Sequence, residues 1–397
     1  MDPQTQTPWT PLDTPISSIP PLSISASPTQ ILLLLLLLLT TLSLLLLALY
    51  RLHLHPLSPF PGPRHAALTS LLEFHDNVLR SGRFVWRIQA WHQRYGPIIR
   101  IAPNELHISD PSFHAQLYVG GHDLSRNTHL MKHCGLIYTL FTYLPQRLVA
   151  LLHPLTTQLF AVQNSIKTRI IAAKTSLQQP QPSPKDHHQP QTLLHTLLTT
   201  SSSLHPTTSA LADELFTHLG AATLSTSHAL SVLLYHIHAH PPHLARLRAE
   251  LVPLYTSASD SRPTLATLQS LPFLTACINE ALRLSHGVAG RLPRVAPDRD
   301  ILYTSPSSRT SPSAIGHKSE KRRSWRIPKG TTVSMTHMFA HLDEAVFQRA
   351  RDFVPERWME GEGRRVPQGR GMSSGVDPKR HFTPFGRGSR APDQQRP

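Results

Sequence analysis

Between Leu271 and Leu284 the chain reads Leu-Pro-Phe-Leu-Thr-Ala-Cys-Ile-Asn-Glu-Ala-Leu-Arg-Leu, an apolar run that contains a single acidic and a single basic residue. Glu280 and Arg283 are three residues apart, so they face the same side of the predicted helix and can form an ion pair. The pattern Glu-x-x-Arg is common in helices, where a surface pair of this kind contributes only a few tenths of a kcal/mol. Its neighbours along the chain make it specific.

Three more motifs stand downstream of this stretch. They read Arg-Leu-Pro-Arg-Val-Ala-Pro-Asp over residues 291–298, Pro-Glu-Arg-Trp over 355–358 and Phe-Gly-Arg-Gly-Ser-Arg over 385–390. Together with Glu-x-x-Arg they resemble the signature motifs of the cytochrome P450 family. The last resembles the front half of that family's haem loop, Phe-x-x-Gly-x-Arg-x-Cys-x-Gly. By this resemblance the chain is identified as a member of the family.

The resemblance implies a role for each of these residues. Arg357 is expected to join Glu280 and Arg283 in a buried charged triad that braces the haem loop, which suits the bidentate geometry of arginine. Two arginines are expected to contact the haem propionates, one in each of the motifs at 291–298 and 385–390. The cofactor-binding residues that the resemblance implies are Arg294, Phe385, Gly388 and Arg390.

Position 392 departs from the haem-loop pattern. In this family a cysteine thiolate binds the haem iron and favours O–O cleavage, and the motif places that cysteine where this chain has Pro392. Proline has no group that ligates iron. The sequence therefore predicts no metal ligand here, and a P450-like fold that is incomplete at its C-terminus, truncated before the haem-ligand cysteine. The two cysteines, Cys134 and Cys277, lie outside glycine-rich loops and exclude a disulfide framework.

Residues 211–240 predict one long helix, because apolar positions recur at helical spacing. By resemblance it is the helix that crosses over the haem, where the family reads Ala/Gly-Gly-x-Asp/Glu-Thr-Thr/Ser and residues 221–226 read Ala-Ala-Thr-Leu-Ser-Thr. Leu224 replaces the acid. Ser225 and Thr226 are the candidate catalytic residues, since a hydroxyl can donate or accept in the proton relay to oxygen. From the pattern alone, an ordinary buried helix is the alternative.

An uncharged run dominated by leucine extends over residues 31–50, and about 20 helical residues span a hydrocarbon core of about 30 Å. No Lys or Arg precedes it, whereas Arg51 follows it, so the positive-inside tendency places the body in the cytosol. We expect a disordered lumenal tail over 1–30, a transmembrane helix over 31–50 and a proline-rich hinge over 51–64. This topology indicates a single-pass protein of the endoplasmic reticulum membrane.

By resemblance, residues 65–397 form a cytochrome P450-like domain that is mainly α with a small β domain. Residues 71–95 predict a helix, and residues 98–109 predict a β-hairpin by their turn chemistry. Two segments of low-complexity composition, 178–191 and 304–324, are expected to be insertions.

The chain carries a formal net charge of +15. A basic balance favours nucleic acid, anionic lipid or an acidic protein as a partner. The sequence has no zinc-finger spacing and no basic stripe with interleaved aromatic residues, so nucleic acid is not an expected partner. Solvated loops that face an anionic membrane explain the charge.

Three hypotheses of function follow. The first is a fungal microsomal, trichodiene-oxygenase-like cytochrome P450, a haem-thiolate monooxygenase of hydrophobic, secondary-metabolite-like substrates that uses O2 and NADPH–cytochrome P450 reductase. The second is a catalytically dead P450 relic or a gene-model fragment. The third is a metal-binding protein, suggested by His236, His238 and His240. Only His236 and His240 share a helix face, and the glutamate of His-Glu-x-x-His is missing.

Overall fold

The structure is a computed structural model that describes residues 27–80, 82–118, 125–126, 156–178, 192–200, 207–256, 262–287, 289–305, 323–359 and 378–386. It divides into two compact units, Met1–His55 and Pro56–Pro397. Several features of the sequence lie outside the described residues: Cys134, residues 179–191, residues 306–322, Gly388, Arg390 and Pro392.

The described part of the first unit is an apolar helix, α1, Pro28–Leu49, which continues as a π-helical turn over Tyr50–Leu54. Ser27 caps it in a reciprocal capping box with Gln30. Among the described residues, it is the one helix long and apolar enough to cross a membrane. It begins three residues before the predicted span, so residues 28–30 belong to the helix and not to the tail.

Helices make up most of the described second unit. They are α2 Arg64–Leu68, α3 Leu71–Phe74, α4 Phe84–Tyr95, α5 His114–Tyr118, α6 Thr156–Gln178, α7 Leu193–Thr200, α8 Thr208–Ala239, α9 Pro241–Thr256, α10 Leu265–Gln269, α11 Pro272–Ser285 and α12 His337–His341. Short 3-10 turns cover Pro111–Phe113, Pro355–Trp358 and Pro378–His381.

The long helix predicted over residues 211–240 is confirmed as α8. Thr207 caps its start by accepting a hydrogen bond from the Ala210 amide, and the helix ends before Pro241, which has no amide hydrogen. The single helix predicted over residues 71–95 is wrong. The chain turns between α3 and α4, where Gly82 adopts a φ of 84°, a conformation that glycine tolerates and a continuous helix does not contain.

The strands form two small sheets. They are β1 Ile98–Ala102, β2 Glu105–Ile108, β3 Ser125–Arg126, β4 Arg294–Val295, β5 Ile301–Thr304, β6 Ser324–Ile327 and β7 Thr332–Ser334. One sheet has the order β1-β2-β7-β4-β3, and β5 pairs with β6 in the other. β1 and β2 are antiparallel, which confirms the predicted hairpin. The architecture is therefore mainly helical with a small β portion, as the sequence predicts.

A cluster of apolar side chains packs α8, α9 and α11 together and positions the site. Its buried members include Ile237, Phe273, Cys277 and Phe353. Cys277 is fully buried, and burial raises the pKa of its thiol to about 12. The thiol is therefore a packed core group that stays protonated at neutral pH, as expected for a buried cysteine.

Candidate functional site

Glu280 lies at the centre of a buried ionic cluster on α11. Its Oε1 accepts hydrogen bonds from Arg283 Nη2 (2.8 Å), Arg357 Nε (3.0 Å) and the Val354 amide (3.0 Å). Its Oε2 accepts from Arg283 Nε (2.9 Å) and the Trp358 indole Nε1 (2.9 Å). The carboxylate has no solvent exposure. The Glu280 cluster, formed by these five residues, thus joins α11 to the Pro-Glu-Arg-Trp motif.

Arg283 also fixes backbone that is remote in sequence. Its Nη1 donates to the carbonyl oxygens of His341 (2.7 Å) and Ala350 (2.5 Å). Its Nη2 donates to the Asp352 carbonyl oxygen at 3.1 Å. A planar guanidinium with five donors suits such a junction, because it can bind a carboxylate on one edge and carbonyl groups on another.

The Glu280 cluster places one carboxylate between two guanidiniums. Burial alone would raise the pKa of Glu280, but the hydrogen bonds and charge of Arg283 and the charge of Arg357 outweigh it and hold that pKa below its ordinary value. Burial lowers the pKa of Arg357, which Glu280 counteracts. Removing one partner of a buried pair costs about 3–5 kcal/mol, because it leaves an uncompensated charge. The cluster is therefore a structural brace.

Arg294 lies on β4 over the ring of Tyr118, with its guanidinium carbon 5.0 Å from the ring centroid. It also donates to the Pro293 carbonyl oxygen (3.0 Å). The Tyr118 hydroxyl donates to the Leu292 carbonyl oxygen (2.7 Å) and accepts from the Met335 amide (3.1 Å). Burial raises the pKa of Tyr118. One tyrosine therefore anchors the strand that carries Arg294 and supports its guanidinium.

Imidazoles connect Tyr118 with the segment that leads into the haem-loop motif. His337 stacks on Tyr118 with ring centroids 5.7 Å apart, and its Nδ1 lies 3.0 Å from Thr383 Oγ1. The Thr383 amide donates to His341 Nε2 (3.2 Å). Burial lowers the pKa of His337 to about 4 and that of His341 to about 3, so both are neutral at pH 7. Phe385, two residues after Thr383, is 52% exposed.

Ser225 and Thr226 lie on α8 and are exposed, as are all residues over 221–228. The alternative of an ordinary buried helix is therefore wrong for this part of α8. Ser225 Oγ donates to the Ala221 carbonyl oxygen of its own helix (2.8 Å). Gly287 faces this point, because a Cβ added there would lie 4.0 Å from Ser225 Cβ. The exposed stretch thus faces the loop between α11 and β4.

A second buried ion cluster was not predicted from the sequence. Arg291 Nε donates to Glu105 Oε1 (2.6 Å), and its Nη2 donates to Glu73 Oε1 (2.7 Å). The Ser334 hydroxyl also donates to Glu105 Oε1 (2.7 Å). Burial would lower the pKa of Arg291, but the two carboxylates raise it. This cluster ties the loop before Arg294 to α3 and to β2, so it holds the start of β4 in place.

The histidines of α8 do not form a metal site in the described residues. The ring centroids of His236 and His240 are 6.0 Å apart, and both His238 and His240 are exposed. No group of three His, Cys, Asp or Glu side chains in the described part of the chain is arranged to hold a metal ion. The metal-binding hypothesis therefore has no donor set among these residues.

Comparison with known proteins assigns the family. A model of the cytochrome P450 family matches residues 121–302 and 318–391, which is more than half of the chain. The chain therefore belongs to the cytochrome P450 family, whose members include the oxygen-activating monooxygenases to which it is similar.

Those relatives are fungal enzymes. The chain is 29% identical to the cytochrome P450 monooxygenase astB of Talaromyces wortmannii, over 86% of this chain and 80% of the relative. It is 24% identical to the cytochrome P450 monooxygenase TRI4 of Fusarium sporotrichioides, over 86% and 80%. It is 27% identical to the N-acetyltryptophan 6-hydroxylase ivoC of Emericella nidulans, over 86% and 82%. The chain is thus a fungal-type cytochrome P450.

Family membership implies a haem, and the described residues fit one end of it. Arg294 presents a partly buried guanidinium on an aromatic support, a donor suited to a propionate carboxylate. The axial ligand, which is the protein group that binds the haem iron, is a separate question. Cys277 is a fully buried thiol with a pKa of about 12, and the haem-loop pattern has Pro392 where the thiolate is required. The described residues therefore fit the propionate end of a haem.

Proposed function

We propose that this chain is a membrane-anchored cytochrome P450 monooxygenase of hydrophobic small molecules of the secondary-metabolite type. Residues 31–50 would anchor it in the endoplasmic reticulum membrane, with residues 51–64 as a hinge and the body from residue 65 in the cytosol. O2 is its co-substrate, and NADPH–cytochrome P450 reductase is its electron donor. Support for the class comes from the family match and from the monooxygenases among its relatives.

The observation that carries the proposal is the Glu280 cluster. Five hydrogen bonds converge on one carboxylate with no solvent exposure and join α11 to Arg357 and Trp358, which supports the bracing role that the family resemblance implies for these residues. We assign cofactor binding to Arg294 and Phe385 within the described residues, and to Gly388 and Arg390 beyond them. Bound haem with a thiolate ligand would supply the oxygen chemistry.

The hydroxyls on α8 would hold protons near the reacting oxygen. Ser225 donates to Ala221 of its own helix, so it has to rotate away from that carbonyl before it can donate elsewhere. Leu224 carries no proton. We therefore assign Ser225 and Thr226 a proton-holding role that is weaker than that of a full acid–hydroxyl pair.

A second candidate is a P450 that does not turn over, and Pro392 favours it. The family match ends at residue 391, one residue before this proline. A thiolate supplies the electron density that favours O–O cleavage. Without it, the chain would keep the scaffold and the propionate contacts but would not activate oxygen.

The cofactor-binding part of the proposal is tested by haemin titration of the full chain in detergent. Haemin and haemin dimethyl ester are compared, because the ester lacks the free carboxylates. We expect haemin to bind more tightly, and Arg294→Gln to reduce that preference roughly tenfold or more, since a hydrogen bond to a charged group contributes about 1.5–3 kcal/mol. Arg326→Gln is the matched control, because that side chain is 82% exposed and pairs with Asp300.

Three outcomes contradict the proposal. Failure of the natural chain to bind haemin removes the cofactor. Equal binding of haemin and its ester by the natural chain, or an equal loss in Arg294→Gln and Arg326→Gln, removes the propionate role of Arg294.

A further inference from the structure

A cavity of about 420 Å³ lies between the junction of α8 with α9 and the segment that precedes Pro-Glu-Arg-Trp. Three imidazoles line its helical side, and two guanidiniums, two carboxylates and an aromatic ring line the other. The lining residues are His236, His240, His243, Arg349, Arg351, Asp352, Phe353, Val354 and Glu356. It does not include the residues assigned to haem.

The carboxylates of this cavity are already paired. Asp352 Oδ2 accepts from Arg349 Nε (2.7 Å), and Glu356 lies 3.7 Å from Arg246. Arg351 forms no ion pair within the part of the chain that the structure describes. The cavity therefore has one guanidinium whose charge no carboxylate offsets, together with three imidazoles. Such a set favours an anion.

The imidazoles of His236 and His240 keep ring nitrogens that no hydrogen bond among the described residues uses. His240 Nδ1 lies 2.8 Å from the His236 carbonyl oxygen, which can only accept, so the proton is on Nδ1 and Nε2 stays unused by that bond. His236 Nδ1 is buried and has no hydrogen-bond partner among the described residues. The His236 ring stacks on Phe353 at 4.7 Å with an angle of 6°. These contacts hold the ring planes in fixed orientations.

Proton binding at these rings is coupled to charge in the cavity. Burial and then neighbouring imidazoles lower the pKa of His236, where Glu280 acts in the opposite direction. Burial lowers the pKa of His243 too, with Glu356 opposing and His240 and Arg246 assisting. An anion bound among these imidazoles attracts the positive charge of a protonated ring and so offsets the repulsion that lowers their pKa values. Binding of an anion should therefore take up protons.

The opposite wall of the cavity is held in advance. The Ala350 and Asp352 carbonyl oxygens accept from Arg283, and the Val354 amide donates to Glu280. Arg349 adopts a φ of 51°, a left-handed conformation that costs free energy for a non-glycine residue and that is found at binding sites. A wall fixed by the Glu280 cluster lowers the ordering cost of binding a ligand.

We propose that this cavity is a binding site for a small phosphate-bearing anion. A guanidinium binds phosphate oxygens through two parallel hydrogen bonds, and protonated imidazoles on the opposite side add further donors. A metal ion is disfavoured, because no trio of ligands among the described residues is arranged to hold one. The site is independent of the haem, so it is tested separately from the proposed oxygenase function.

The test is calorimetric titration of the full chain in detergent with inorganic pyrophosphate, at about pH 6 and about pH 8, where histidine changes charge. Repeating it in two buffers of different ionisation enthalpy measures proton uptake. We expect binding with net proton uptake, weaker at the higher pH. Arg351→Gln should weaken it roughly tenfold, the equivalent of one charge-assisted contact. His243→Gln should reduce the number of protons taken up.

The matched control is Arg326→Gln, which removes an exposed arginine on β6 and should leave pyrophosphate binding unchanged. Several results overturn the proposal: no binding heat at about pH 6, equal losses in Arg351→Gln and Arg326→Gln, or binding without proton uptake. Zinc binding that His240→Gln abolishes, with no pyrophosphate binding, would replace the anion site by a metal site.

Discussion

Replacing Glu280 by glutamine tests the brace directly, because it keeps the size of the side chain and removes its charge. If the amide keeps its oxygen at the Oε1 position, Arg283 Nε and the Trp358 indole lose their acceptor. If it keeps the oxygen at Oε2, Arg283 Nη2, Arg357 Nε and the Val354 amide lose theirs. In either orientation, at least two buried donors face an amide group that also donates.

Each buried donor without an acceptor costs about 1–3 kcal/mol, and breaking a buried ion pair costs about 3–5 kcal/mol. These two costs refer to the same lost contacts and are not added. We therefore expect the free energy of unfolding to fall by about 3–5 kcal/mol. Urea unfolding of the full chain in detergent, followed by tryptophan fluorescence and far-ultraviolet circular dichroism, measures the change. Trp358 reports the site itself, because its indole binds Glu280.

The control is Glu214→Gln, the same chemical change on the exposed surface of α8, where Glu214 lies 3.5 Å from His218. It should change stability by less than about 1 kcal/mol. The pH dependence adds a second check. The folded pKa of Glu280 is lowered, so its contribution is present above the ordinary carboxyl value and is lost as pH falls through the folded value. A loss below about 1 kcal/mol in Glu280→Gln would refute the brace.

Three further outcomes are expected. Tyr118→Phe should lower stability by about 1–3 kcal/mol in urea unfolding, because the buried Leu292 carbonyl and Met335 amide lose their partner; an unchanged midpoint would contradict this. Gly62→Ala should lower the thermal midpoint, since a Cβ there would lie 2.6 Å from the Arg100 carbonyl oxygen at a φ of 153°; an unchanged midpoint would show that the loop relaxes. Stability should fall between about pH 6.5 and about pH 4, by up to about 1.4 kcal/mol per pH unit for each buried histidine that is neutral when folded and takes up a proton when unfolded. Burial lowers the pKa in the folded state to about 4 or about 3 for four histidines: His92, His286, His337 and His341. A flat profile of stability against pH would contradict the prediction.

The parts of the fold that could be predicted are those set by residues close together in the sequence. The hairpin of β1 and β2 follows from a turn between two apolar runs, and α8 follows from helical periodicity that ends at prolines. The turn at Gly82 was missed, because apolar residues stand on both sides of it and hide the break. Pattern alone does not distinguish a continuous helix from two helices separated by a turn.

In the site, too, sequence spacing predicts contacts between near neighbours and misses those between residues far apart in the chain. Glu280 and Arg283 are three residues apart, so their pairing follows from helix geometry. Arg291 is 186 residues from Glu105 and 218 residues from Glu73, and no spacing rule relates residues so far apart. That cluster exists because the fold closes α3, β2 and the loop before β4 around one guanidinium.

Whether Pro392 leaves the haem of this P450 without a thiolate ligand separates the two candidate functions. The most direct measurement is the ferrous–CO absorption spectrum of the full chain reconstituted with haemin, compared with Pro392→Cys and with Ala391→Cys, which adds the same thiol one residue away. We predict the red-shifted thiolate band for Pro392→Cys alone. The same band in the natural chain, or in Ala391→Cys as strongly as in Pro392→Cys, would contradict the account.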